Sequence, residues 1–314
     1  MFRKSYNRAV LRLRLETVSP LLIRAGFAGL DPTLADLVCV RTRHLQHGST
    51  VYIPGSSFKG VLRAAVEASI RGSSFGTRQG ACNPFENKKE QELSCSVRVH
   101  KRRKQEPPLS TSDVYKMHCS ACRTFGSTVL KGRVGVRDFF PWPNQEEPLS
   151  AAQLHNLQAA NKTELRLNVA IDRIKGSVAD GPFDQELVPV GVSFWGELSF
   201  ENYQLWQLGL VASALEELNL GFVQLGSGKS RGLGFVRVHV ESFLHEQSGR
   251  EGAPATGVGR LATERERLDY GLEPDAELTG EPGLRRGLAV RFEPSPEQLQ
   301  TWLEHARNTL GGAT

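Results

Sequence analysis

The amino-acid sequence predicts an α+β fold: an antiparallel sheet with two helices on one face, interrupted by large insertions. Two periodicities and the order in which they recur carry this expectation. Leu11, Leu13 and Leu15 alternate with Arg12 and Arg14, the period of a strand buried on one side. Phe58, Val61, Leu62, Ala65, Val66 and Ile70 recur every three or four residues, which places one apolar stripe on a helix. Along the chain the patterns read strand, helix, strands, helix, strand. That is the order of a ferredoxin-like, or RRM-like, core, whose helices cover one face of the sheet and leave the other open to a ligand.

Each element has its own justification. Residues 8–16 form the first strand. The first helix presents Lys59, Arg63, Glu67 and Arg71 as a ridge opposite its apolar stripe, and Ser56 or Ser57, after Pro54 and Gly55, serves as its N-cap. Residues 133–140, 165–171 and 190–200 read as half-buried strands. Leu205, Leu208, Val211, Ala212, Leu215 and Leu218 mark the second helix, and residues 233–240 return as a strand. The core thus spans 1–243, with insertions at 72–125 and 172–188. Residues 244–293, rich in Gly, Pro, Glu and Arg, read as a flexible linker before a C-terminal helix within 294–314, capped by Ser295 with Pro296 in its first turn.

Composition narrows the classes. The chain has 314 residues, 39% hydrophobic and 23% charged, which excludes fibrous and wholly disordered proteins. No apolar stretch approaches the ~18 residues that would cross a bilayer, and the N-terminus lacks a signal core, so no membrane partner and a cytoplasmic location are expected. The net charge of +5 is uneven: residues 245–314 carry 12 acidic and 8 basic residues, leaving +9 on residues 1–244. A basic body attracts polyanions, of which nucleic acid is the commonest in a cytoplasm.

Four of the five cysteines, Cys82, Cys95, Cys119 and Cys122, fall in the first insertion. A Cys-x-x-Cys turn directs two thiolates at one ion, and two further cysteines complete a tetrahedral zinc shell. The surrounding segment is too polar to build a core, so a structural zinc would supply folding free energy that burial does not. His100 or His118 could replace one thiol. Cys39, in an apolar run, reads as core.

Three segments suit an anionic ligand. Residues 98–104 read Arg-Val-His-Lys-Arg-Arg-Lys, a match for a phosphate backbone or simply a solvated loop. Residues 226–232, Gly-Ser-Gly-Lys-Ser-Arg-Gly, contain the Gly-Lys-Ser of a phosphate loop, but Val223 stands where the pattern needs glycine, and the loop runs from helix to strand. What remains is a flexible run of N–H groups with two cations. Residues 53–60, Ile-Pro-Gly-Ser-Ser-Phe-Lys-Gly, set hydroxyls and N–H groups at a helix N-terminus, where the dipole favours an anion.

Residues 53–60, Phe125-Gly126 with Gly132-Arg133 and Arg137-Asp138, residues 170–176 (Ala-Ile-Asp-Arg-Ile-Lys-Gly) and residues 226–232 resemble, in this order, the signatures of the RAMP superfamily of CRISPR proteins. The nearest likeness is to the backbone subunit of type III effector complexes, over about residues 8–242. The resemblance implies a modified RNA-recognition fold that polymerises along a CRISPR guide RNA, beside other subunits of the complex, with a thumb hairpin interrupting the guide–target RNA duplex. It places the thumb near residues 173–187 and guide contacts at Ser56, Ser57, Lys59, Arg63, Arg173, Gly226, Ser227, Gly228, Lys229 and Arg231. In catalytic members an aspartate in the loop before the Ile-Pro-Gly-Ser-Ser motif supports cleavage of target RNA with a divalent cation, Mg or Mn. Asp36 and Asp31 are the two candidates here, and spacing does not separate them. Two alternatives stay open: a non-catalytic RNA-binding subunit, and a guide-processing endoribonuclease of the same superfamily acting through His44 and His47.

Overall fold

A computed structural model describes residues 4–26, 35–73, 80–84, 94–104, 107–143, 148–172 and 174–310. In chain order the elements are β1 (Asn7–Thr17), β2 (Arg41–His44), β3 (Gly48–Val51), α1 (Gly55–Gly72), α2 (Cys95–Arg103), α3 (Thr111–Lys116), α4 (Ser120–Phe125), β4 (Val134–Val136), α5 (Ala151–Asn161), β5 (Glu164–Ile171), β6 (Val178–Leu187), β7 (Ser193–Glu201) and α6 (Leu205–Asn219). They are followed by β8 (Val236–Gln247), β9 (Ala255–Thr256), α7 (Val258–Leu261), α8 (Glu264–Tyr270), β10 (Glu277–Leu278), β11 (Leu284–Arg286), β12 (Ala289–Phe292) and α9 (Pro296–Asn308). None of these helices is long and apolar enough to cross a membrane.

The main sheet is antiparallel in the order β11-β12-β8-β1-β7-β4. Its strands β8, β1, β7 and β4, numbered along the core, run fourth, first, third, second, which is the ferredoxin-like order. Leu11, Leu13 and Leu15 of β1 are fully buried and share one core with Phe58, Leu62 and Val66 of α1 and Leu208, Val211 and Leu215 of α6. The alternation and the helical stripes therefore meet as expected.

The face turned away from the helices is not an open cationic platform. Arg8 pairs with Glu246 and Arg12 with Glu197; Arg291 also reaches Glu246, and Arg137 also reaches Glu197. Arg14 meets Glu16 and Glu241, and Lys131 meets Glu201. β1 places Arg8, Arg12 and Arg14 on this face, and β7 and β8 supply carboxylates across from them, a lattice of cross-strand pairs. RNA contact must therefore be sought at the loops.

Four local expectations change. Residues 165–171 form β5, which pairs only with β6 in a separate two-stranded ribbon. Leu165, Leu167 and Val169 are exposed there, because period two reports a strand and not which face is covered. The expected insertion at 172–188 is the returning half of this longer hairpin. At α1 the N-cap is Pro54, with no side-chain cap from within the segment. The Gly55 N–H instead donates to Asp138 Oδ1 at 2.7 Å, a long-range cap invisible to local sequence rules. Residues 244–293 are ordered: β8 continues to Gln247, and β12 joins the sheet beside it. Strands this short leave little periodicity to read. The expected final helix is present, with Ser295 Oγ accepting from the Gln298 N–H.

The strands that close this C-terminal segment surround a buried polar network. His245 is fully buried; its Nε2–H donates to Gln247 Oε1 (3.0 Å) and its Nδ1 accepts from the Tyr203 hydroxyl (2.8 Å). Burial holds the imidazole neutral and pushes its pKa down to about 4. The unfolded chain takes up this proton near pH 6.5, and the folded chain only near pH 4, so stability is full above pH 6.5 and falls through that window. Between pH 7 and pH 5 urea unfolding should show a loss of about 2 kcal/mol from this group. His245→Gln should remove that part of the slope; an unchanged slope would show that His245 does not titrate in this way.

Candidate RNA-binding and metal sites

The glycine-rich loop is built by backbone geometry. Gly226, Gly228, Gly232 and Gly234 all have positive φ, a region open to glycine and strained for other residues. A Cβ on Gly226 would lie 2.3 Å from the Leu22 carbonyl, and the Ser227 N–H donates to that same oxygen at 2.8 Å. The loop is thus pinned to residues 21–25. That segment bridges residues 38–40 and Val188, and residues 36–39 bond in turn to the end of β6. Three stretches far apart in sequence are brought to one junction.

At this junction sits Asp36. Its side chain is exposed, and its Oδ2 accepts the Asp184 N–H at 3.0 Å. Phe183, the neighbouring residue of β6, lies under the Arg231 guanidinium, 5.7 Å from the ring centroid, a cation–π contact. One carboxylate, the root of the β5–β6 hairpin and a cation of the glycine-rich loop therefore meet. Asp31 and Arg173 lie outside the described residues. Asp172 caps the hairpin turn, its Oδ1 accepting from the Ile174 and Lys175 N–H groups.

On α1, Ser56, Ser57 and Lys59 make no side-chain hydrogen bond or ion pair among the described residues, and neither do Ser227 and Lys229. Lys59 is half-buried; desolvation, then repulsion from Arg63, lowers its pKa. An ammonium placed so lacks a counter-charge, which an anion would provide. Arg63 is engaged otherwise. It bonds Glu67 Oε1 (2.7 Å), the Gly126 carbonyl (3.0 Å) and Cys122 Sγ (3.4 Å). It therefore ties α1 to the cysteine-bearing insertion. His44 and His47 stack on each other, centroids 5.0 Å apart, and both meet Trp142 edge-on.

The four cysteine sulfurs lie within 4.8 Å of one another, with Cys82 Sγ and Cys122 Sγ 3.6 Å apart. A tetrahedron with Zn–S bonds of about 2.3 Å has edges of roughly 3.8 Å, so the thiols fit an ion such as zinc. The Cys119 N–H and Arg98 Nη2 both donate to Cys95 Sγ, at 3.2 and 3.0 Å, an outer shell suited to thiolate. The contacts among the four thiols lower Cys95 and Cys119 and raise Cys82 and Cys122, so the protons are held unevenly among the sulfurs. His118 does not join them: its Nδ1 contacts the Val114 carbonyl (2.6 Å) and its Nε2 the Ser127 hydroxyl (2.8 Å). His100 lies on exposed α2, outside the cluster. Cys39 is buried, and its thiol is pushed up to about 12 by burial, as a core residue should be.

The family model of the RAMP superfamily matches residues 14–237, from within β1 to the start of β8. The chain belongs to the RAMP superfamily. It is thereby a CRISPR-associated, RNA-binding protein, and the match covers the junction at Asp36, α1, the cysteine cluster and the glycine-rich loop alike. No curated protein matches the chain. Residues 238–314, which include β12 and α9, lie beyond the match. Sequence reasoning missed Asp138, Phe183 and Asp184; the Arg137-Asp138 pair was in view as a signature, but nothing local signals which N–H it would cap.

Proposed function

We propose that this RAMP protein is a guide-RNA-binding backbone subunit of a type III CRISPR interference complex and that it cleaves bound target RNA at Asp36. The observation that carries the reading is that Asp36 accepts the Asp184 N–H of the β5–β6 hairpin while the adjacent Phe183 lies under Arg231 of the glycine-rich loop. A hairpin that parts a guide–target duplex leaves the nucleotide at its root unstacked, and Asp36 stands beside that root. The side chains of Ser56, Ser57, Lys59, Ser227 and Lys229, which have no hydrogen-bond or ion-pair partner among the described residues, offer donors for guide phosphates.

A divalent cation, Mg or Mn, would be held by the Asp36 carboxylate and would neutralise charge building on the scissile phosphate. Only one Asp36 oxygen is used within the described residues, which leaves the other for such an ion. The nucleophile is the RNA's own 2′-hydroxyl, so the chain supplies position and charge, not a complete triad. The cysteines hold a structural zinc, whose four-thiolate shell leaves no open position for chemistry.

The test is target cleavage by complexes reconstituted with Asp36→Ala, Asp31→Ala or both. We expect Asp36→Ala to lower cleavage by about 100-fold or more while guide binding stays unchanged. Full cleavage by the double variant would leave a purely binding subunit. Cutting of precursor guide RNA by the isolated chain, lost on His44→Ala, would support the processing reading instead.

A further inference from the structure

The basic segment 98–104 has no part in the function above, yet the fold gives it a defined setting. It forms most of α2, which holds four arginine or lysine residues and no acid. Cys95, its first residue, is a thiol of the cysteine cluster, so the metal site fixes where the helix lies. Lys101, Arg103 and Lys104 make no ion pair among the described residues. Beside them lies a groove of about 590 Å³ lined by Arg98, Arg102 and Lys116 together with Pro108, Leu109 and Met117. Two of the cations are held in place: Arg98 donates to Cys95 Sγ at 3.0 Å, and Arg102 donates to the Pro107 carbonyl at 3.4 Å. The carboxylate in the groove, Asp113, is turned to its own helix cap, accepting from the Ser110 N–H and hydroxyl.

We propose that this groove is a second RNA subsite, taking one unpaired nucleotide of a single strand. The phosphate sits among Arg98, Arg102 and Lys116, and the base lies on the floor of Pro108, Leu109 and Met117. The inference rests on the RNA-binding reading of the chain and adds to it a site on the insertion. Three cations around an apolar floor suit a ligand whose charge and flat apolar face alternate, as they do along a nucleic acid. An acidic peptide would match the cations and leave the floor unused. Without side-chain amides at the floor, the subsite carries no base code, so binding is independent of sequence.

The experiment uses the full chain, zinc-loaded, with fluorescein-labelled oligouridine of 8 and 30 nucleotides, titrated from 50 to 300 mM salt. The variants are Arg102→Glu with Lys116→Glu, and the milder Arg102→Gln with Lys116→Gln in case the first does not fold; zinc content and circular dichroism check both. Loss of the phosphate contact should weaken binding of the 30-mer about tenfold and reduce the slope of log K against log salt by roughly 0.7. Photocrosslinks from 4-thiouridine RNA should map to residues 107–118. An unchanged slope in a folded variant overturns the subsite while leaving RNA binding intact. A wild-type chain that binds no oligonucleotide overturns the RNA-binding reading itself, and a variant that loses binding only to an added acidic protein assigns the groove to a protein partner and refutes the proposal.

Discussion

Cys122→Ser is expected to empty the metal site and to loosen the whole insertion. Purified wild-type chain should contain one zinc per molecule; the variant should retain less than about a tenth of that under the same dialysis, because a three-thiolate shell binds the ion far more weakly. The structural consequence follows from how little else holds this region. α2, α3 and α4 are each fewer than ten residues long, and helices of that length are not stable on their own. The cysteines Cys95, Cys119 and Cys122 form, with Ala121, a small buried cluster of their own. In zinc-finger peptides the apparent binding free energy of a structural zinc is about 10 kcal/mol or more, and here it adds to the burial of Tyr115 with Val258 and Leu272 and of Phe125 in the main core. Limited proteolysis should therefore cut the variant within residues 80–125 while the sheet survives. A second consequence is specific to this chain: Arg63 loses its sulfur partner, and α1 is freed from the insertion at that point. A Cys122→Ser protein with full zinc content and unchanged proteolysis would refute the assignment.

Gly226→Ala should be strongly damaging to the glycine-rich loop. Two costs add. The residue sits at φ +83°, which costs an L-residue roughly 1–2 kcal/mol, and its new methyl would stand 2.3 Å from the Leu22 carbonyl, so the loop must move off residues 21–25. A total of about 2–4 kcal/mol is expected. Displacing the loop also carries Arg231 away from Phe183, so guide affinity should fall about tenfold or more, the worth of one or two good contacts. Gly232→Ala is the matched control: its φ is +78° but nothing lies within 4 Å of a Cβ there. It should cost only the backbone strain, about 1 kcal/mol. Equal losses for the two variants, by urea unfolding and RNA anisotropy, would show that the close approach to Leu22 does not matter.

The legible part of the fold was the part governed by burial. Leu11, Leu13 and Leu15, or Phe58, Leu62 and Val66, repeat because one side of each element faces the core, and that regularity survives in the sequence. Leu165, Leu167 and Val169 repeat in the same way without facing it, so the pattern misassigned β5. β11 and β12, of three and four residues, are too short to show a period. The metal site was legible because four thiols in one insertion serve few other ends. The partners of Arg63 were not legible for a physical reason: a ridge position on α1 meets Gly126 and Cys122 only when the insertion folds back on the helix. Asp36 was legible as a candidate by likeness alone; its neighbours Phe183 and Asp184, nearly 150 positions away, were not.

The paired charges on the sheet have an effect at a distance. Six cations there, Arg8, Arg12, Arg14, Lys131, Arg137 and Arg291, stand against five carboxylates, Glu16, Glu197, Glu201, Glu241 and Glu246, so this broad wall is close to electrically silent. What attraction the molecule exerts on an approaching polyanion is then concentrated at the unneutralised lysines and arginines elsewhere. An incoming strand would be drawn to those side chains and not spread across the sheet, and added electrolyte would slow its arrival more than it would disturb the sheet.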